Sequence, residues 1–212
     1  MSRFAQQLRH AAFSEIVAVG GGIVVVWIEA IRFVANVTAL TSLLYTMYVL
    51  ALVIATFFGT YVSWAFLTLG KRFLKPALVW SSYATMLLFA LYFLSSLSTL
   101  FQVLPGSPSL DALSVAVLGL VVTVGGFGVY SLRQRFGLVA SVAGALFVVV
   151  GLAFIFGFTS GYVLAIGFAL YIPALIVEIA FLFKASQVVA ATQTTAKFKT
   201  KSNTKTNGKH KR

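Results

Sequence analysis

The chain has 212 residues, 60% hydrophobic and only 9% charged, with mean hydropathy +0.99 and formal net charge +12. A water-soluble domain carries about 25% charged residues, so water cannot be the solvent for most of this surface, and lipid is the alternative. With no cysteine, histidines only at 10 and 210, and four acidic residues in all, the composition excludes disulfides, thiolate zinc or Fe–S sites, buried haem or copper ligated by histidines, and the clustered carboxylates of metal-dependent phosphoryl transfer.

The first segment, 1–15 (MSRFAQQLRHAAFSE), is weakly basic and reads as a cytoplasmic N-terminal segment. A signal peptide starts in a similar way, but no small-x-small cleavage site follows, so the next helix is expected to be retained. Crossing a hydrocarbon layer of about 30 Å takes about 20 helical residues at about 1.5 Å each. The first such span is 16–36, and it ends in IVVVWIEAIRF. Glu29 and Arg32 lie three residues apart there, on one side of a helix, as an outer interfacial pair. Asn36-Val-Thr38 beyond them matches the N-glycosylation acceptor.

The uncharged run 33–70 is too long for one crossing, so the second span is placed at 43–68. It carries Thr56 and Thr60 at helical spacing, with Ser63 continuing the row. Gly70-Lys-Arg-Phe-Leu-Lys-Pro76 breaks the chain by charge and by a proline suited to a helix's first turn. The third span, 77–102, has a polar stripe through Ser81, Thr85, Tyr92, Ser95 and Thr99. Such hydroxyls are expected to face protein, either bonding between helices or lining a wet path. The turn sequence LPGSPSLD at 104–111 follows.

The fourth span, 112–131, spaces Ala112, Gly119 and Gly126 by seven residues, and the fifth, 137–157, does the same with Gly137, Gly144 and Gly151. A seven-residue recurrence keeps small residues on one side of a helix, where they let membrane helices approach closely. Only Arg133-Gln-Arg135 and its neighbours separate the two, so they should form an antiparallel hairpin. The sixth span, 161–183, contains Pro173 and Glu178. A carboxyl at that depth needs a proton or a base, and Lys71, Arg72 and Arg133 are the available ones. No two acids share a span, so no carboxylate dyad is expected. The remainder, 185–212, holds Lys197, Lys199, Lys201, Lys205, Lys209, Lys211 and Arg212 without an acid and reads as a disordered basic tail. It suits anionic lipid headgroups; with one aromatic, Phe198, it is a poor platform for nucleic acid.

Six spans with both termini cytoplasmic put every lysine and arginine except Arg32 on the inner side, as basic residues in short loops prefer. The expected fold is therefore an all-α integral membrane protein, a bundle of six transmembrane helices over 16–184, in the cell membrane. Ionisable groups in the spans are few and close-packing seams are many. That balance favours a non-catalytic subunit or scaffold, in a homo-oligomer or beside other membrane subunits, with no enzyme activity and no cofactor. The alternative is a small-solute or ion transporter or channel, lined by Thr56, Thr60, Ser81, Thr85 and Tyr92, with Glu178 as the coupling group.

The absence of cysteine makes the topology directly testable. Single cysteines at Lys75→Cys and Lys205→Cys should react with an impermeant maleimide from the same side of sealed vesicles, and Ser107→Cys from the opposite side. Labelling of positions 75 and 205 from opposite sides would overturn the six-span arrangement.

Overall fold

The computed structural model describes residues 3–35, 42–100, 108–157 and 160–207, with side chains described throughout except at 29–30, 32–35, 99–100, 108–112, 161 and 193–207. The elements are α1 (Arg3–Ala35), α2 (Ser42–Arg72), α3 (Pro76–Leu100), α4 (Pro108–Tyr130), the single turn α5 (Arg133–Phe136), α6 (Leu138–Gly157) and α7 (Gly161–Asn207). Six of these helices are long and apolar enough to cross a membrane. Each packs on its neighbour in the chain, and α7 returns to α1, so the six close into a ring.

The turn sequences act through identifiable backbone bonds. At the end of α2 the Lys75 amide donates to the Gly70 carbonyl (2.9 Å) and the Leu74 amide to that of Lys71 (3.4 Å). This is the Schellman pattern, and it puts the residue after the cap in the left-handed region. Leu74 takes that position with φ 53°, and Pro76 opens α3 where its missing N–H is harmless. Between α4 and α6 the left-handed position is held by Gly137, at φ 71°, whose amide closes α5 on the Arg133 carbonyl (2.8 Å).

At the end of the ring that carries these basic turns, the inner end, all six long helices share one core. Phe4, Leu8 and Ala12 of α1, Leu69 of α2, Leu78 of α3, Val129 of α4, Ala140 of α6, and Phe181 and Val189 of α7 belong to it. Phe181 stacks on Phe66 (6.0 Å between centroids) and meets Phe136 edge-on (5.6 Å), which in turn meets Phe73 (5.4 Å). Toward the other end the core divides. Val25, Ile28, Tyr48 and Leu52 form one cluster within α1 and α2, backed by Phe93 and Leu97 of α3. Val150, Phe154 and Ala174 form another within α6 and α7, backed by Val115 and Val122 of α4. The ring is thus two three-helix halves, α1–α2–α3 and α4–α6–α7, joined at their inner ends.

The α4–α6 hairpin is the tightest seam. A Cβ added to Gly119 would lie 2.6 Å from the Gly151 carbonyl oxygen, and one on Gly126 would lie 2.8 Å from that of Gly144. Gly137 does not extend this row: an added Cβ there would meet no atom within 4 Å, and its role is the turn. The side chain of Ala112 lies outside the described residues.

Two helix boundaries differ from the sequence expectation. α1 begins at Arg3, not near 16, and its first turns are buried in the common core. Phe4, Leu8, Ala11, Ala12 and Glu15 recur at helical spacing, so the weakly basic segment is amphipathic and packs. α7 is helical to Asn207, where a disordered tail was expected from 185. Ala185, Ser186 and Val189 are buried, so packing on the inner core carries the helix past Lys184.

Gly151→Leu should lower the unfolding temperature in detergent sharply, since overpacking against a backbone costs about 1–3 kcal/mol or more. Gly20→Ala is the control: it is exposed with no atom within 4 Å of an added Cβ, and it should raise stability by about 0.5–1 kcal/mol. Equal effects of the two substitutions would contradict the seam.

Candidate functional site

The inner core ends on α1 at Ala12 and on α7 at Phe181, and the next turn of each helix presents a carboxylate. Glu15 is 7% exposed and Glu178 is 9% exposed. α1 and α7 are antiparallel neighbours, with Phe13 meeting Phe183 edge-on at 5.2 Å. Two residues on from Phe13 and five back from Phe183, the two glutamates come within each other's electric field, and the Tyr171 hydroxyl lies in the field of both. Ser14, next to Glu15 in the chain, is buried as well. Pro173, between Tyr171 and Glu178, removes one backbone donor from α7.

The depth of the pair follows from helix rise. Arg72 lies over the Phe4 ring (4.6 Å), which sets Phe4 at the level of the basic inner turn. Eleven residues separate Phe4 from Glu15 (15 − 4) and Glu178 from Val189 (189 − 178), and Phe4 and Val189 share the inner core. Helix rise therefore puts Glu15 about 16 Å from Phe4 along α1 and Glu178 about 16 Å from Val189 along α7, both well inside the basic inner end.

The bases expected to balance Glu178 are engaged elsewhere. Lys71 donates to the Tyr83 hydroxyl at 3.0 Å. Arg72 is held over Phe4. Arg133 lies over the Tyr130 ring at 4.7 Å and donates to its hydroxyl. Among the described residues neither Glu15 nor Glu178 has a hydrogen-bond or ion-pair partner. The two carboxylates are buried on neighbouring helices of different halves, α1 and α7, near the level where the shared core gives way to separate ones.

The polar stripes do not join this pair. Ser81 and Thr85 are satisfied on their own helix, Ser81 Oγ donating to the Leu78 carbonyl (3.2 Å) and Thr85 Oγ1 to that of Ser81 (2.9 Å). Ser81 faces α4, where a Cβ on Gly125 would lie 3.3 Å from its Oγ. It therefore sits at the other boundary between the halves, α3–α4. Tyr92 is 52% exposed on the outer surface of the ring. Thr56 and Thr60 line an apolar cleft of about 530 Å³ between α2 and α3, apart from the carboxylates. The proposed single lining of spans two and three is thus split among a helix interface, a surface and a cleft. Among the described residues no group of three or more metal-ligating side chains forms. The side chains of Glu29, Arg32 and the cations from Lys197 onward, and Asn36 itself, lie outside the described residues.

Glu15 escapes a sequence reading because it ends the segment 1–15, read there as outside the membrane. The missing dyad has the same origin: its two acids come from the first and last spans, which only ring closure brings together. Comparison with known protein families, curated proteins and solved structures finds no match.

A thermal double-mutant cycle over Glu15→Gln and Glu178→Gln should be non-additive by about 0.5–3 kcal/mol, the range for groups in contact. Additivity within about 0.5 kcal/mol would show that the carboxylates do not interact.

Proposed function

We propose that this protein is an ion-coupled carrier of the cell membrane, in which Glu15 and Glu178 together take up the coupling ion, a proton or a small cation. The observation that carries this reading is the position of the pair: buried, without a base among the described residues, on opposite halves of the ring. Ionisable groups at such depth are expensive and mark ion paths more often than they brace helices. Two bare charges facing each other in a low dielectric repel strongly, so an ion between them draws α1 and α7 together and its loss drives them apart. The halves already hold separate cores above the pair, so relative movement there leaves each half packed. The chemistry is translocation, and no bond-making step is assigned to any residue.

A second reading, a subunit or scaffold of a membrane complex, draws support from the cleft between α2 and α3, which opens outward. It would keep the carboxylates only as a clasp between α1 and α7.

Proteoliposomes with an entrapped pH indicator separate the two. Under an imposed pH gradient, the carrier should couple proton movement to uptake of members of a mixed small-solute pool, with Glu178→Gln and Glu15→Gln each losing the gradient dependence at least about tenfold, the effect of about 1.4 kcal/mol of lost coupling. If no solute- or cation-dependent proton movement occurs, and a stoichiometric membrane protein co-purifies equally with wild type and both glutamine variants, the carrier reading is wrong and the subunit reading stands.

A further inference from the structure

The cleft between α2 and α3 lies outside the carboxylate site and has a different chemistry. Its walls are Val53, Phe57, Tyr61 and Trp64 from α2 and Met86 and Phe93 from α3, with Thr56 and Thr60 adding two hydroxyls to a mainly apolar lining. Phe57 is 67% and Trp64 48% exposed, so the cleft opens away from the ring, toward lipid. From Trp64 to Val53 is eleven residues (64 − 53), about 16 Å of helix, which is the depth of one leaflet's hydrocarbon.

The inner end of the same face is cationic. Lys71 follows Trp64 by seven residues, on the same side of α2, and Tyr83 precedes Met86 by three on α3. The Lys71 ammonium bridges the two helices there, 3.0 Å from the Tyr83 hydroxyl and 5.4 Å from the centre of its ring. That bond uses one of three ammonium protons and leaves two to donate. The four acids of the chain are Glu15, Glu29, Asp111 and Glu178, so neither α2 nor α3 supplies a counter-charge. A solvent-accessible cation with spare donors therefore sits about 10 Å of helix rise beyond the apolar cleft, the separation that a glycerol backbone fills between phosphate and acyl chain.

We propose that this face is a binding site for an anionic phospholipid of the inner leaflet, its phosphate on Lys71 beside Tyr83 and one acyl chain in the α2–α3 cleft. The charge complementarity selects the occupant. A transmembrane helix would leave the Lys71 ammonium without an anion, and a zwitterionic lipid would bring a second cation to it. The site does not depend on the carrier reading, since it shares no residue with the carboxylate pair.

The test uses tryptophan quenching in the full-length chain. With Trp27→Phe and Trp80→Phe in place, Trp64 is the sole indole. In vesicles of phosphatidylcholine, a minor fraction of phosphatidylglycerol with brominated chains should quench Trp64 at about fivefold lower content than brominated phosphatidylcholine does, the preference a single lysine gives near an anionic headgroup. Lys71→Gln should abolish that preference and Lys71→Arg should keep it, with the unfolding temperature of each recorded to confirm folding. The basic tail is intact in every variant, so general enrichment of anionic lipid cannot produce the difference. Equal quenching by the two lipids, or an undiminished preference in folded Lys71→Gln, overturns the proposal. So does a Trp64 that neither lipid reaches, which would mean that a protein segment covers the cleft.

Discussion

The arrangement rests on the aromatic contact at the inner end of the ring. Phe181 stacks on Phe66 and is struck edge-on by Phe136, so α7, α2 and the α4–α6 turn are bound through one side chain. Around it every long helix contributes to a single buried cluster. Lipid supplies no hydrophobic force between membrane helices, so association depends on dispersion contacts and close fit. Aromatic pairs add about 0.5–1.5 kcal/mol beyond their area, and among the described residues those that link one half to the other lie toward this end. Among the described residues, the clusters toward the outer end stay within each half. A ring tied at one end and divided at the other has its natural freedom at the divided end.

The buried polar groups follow that division. Glu15 and Glu178 lie at the α1–α7 boundary between the halves, and Ser81 lies at the α3–α4 boundary against Gly125. The carboxylates differ in kind from the hydroxyls. A serine or threonine in a helix can return its proton to the carbonyl one turn back, as Ser63 does to Gly59 (3.0 Å) and Thr123 to Gly119 (2.8 Å), and so needs no partner from outside. An ionised carboxylate has no donor to give, and at depth it needs a proton or a base first. Polar stripes of hydroxyls therefore say little about a pathway.

Much of the architecture was legible in local chemistry. The charged turn before Pro76, the arginines after Tyr130 and the seven-residue glycine recurrence each fix a boundary or a contact through interactions within a few residues or between adjacent helices. The failures have one physical source. Gly137 shares the spacing of Gly144 and Gly151, yet its φ of 71° makes it a turn residue, and spacing alone cannot separate those uses of glycine. Glu15 falls outside the span placed at 16–36 because Arg9 and His10 interrupt the apolar face that Phe4, Leu8, Ala11 and Ala12 make. That α1 lies against α7 is a fact of closure between the chain's two ends, and no local pattern encodes it.

The closed ring also explains why a chain so poor in acids places two of its four together. In a linear succession of helices α1 and α7 would both be lipid-facing edges, and a carboxylate this far from the inner end of either would meet hydrocarbon. Closure removes both edges at once and shelters each glutamate with the other's helix. Sheltering, however, does not neutralise. If bracing α1 against α7 were the whole requirement, an apolar pair at these positions would do it better, since exchanging buried charges for well-packed apolar side chains is often neutral or stabilising. Phe13 and Phe183 already make such a contact less than two turns away. Bracing α1 against α7 therefore does not account for the two carboxylates, since the aromatic contact beside them already supplies it.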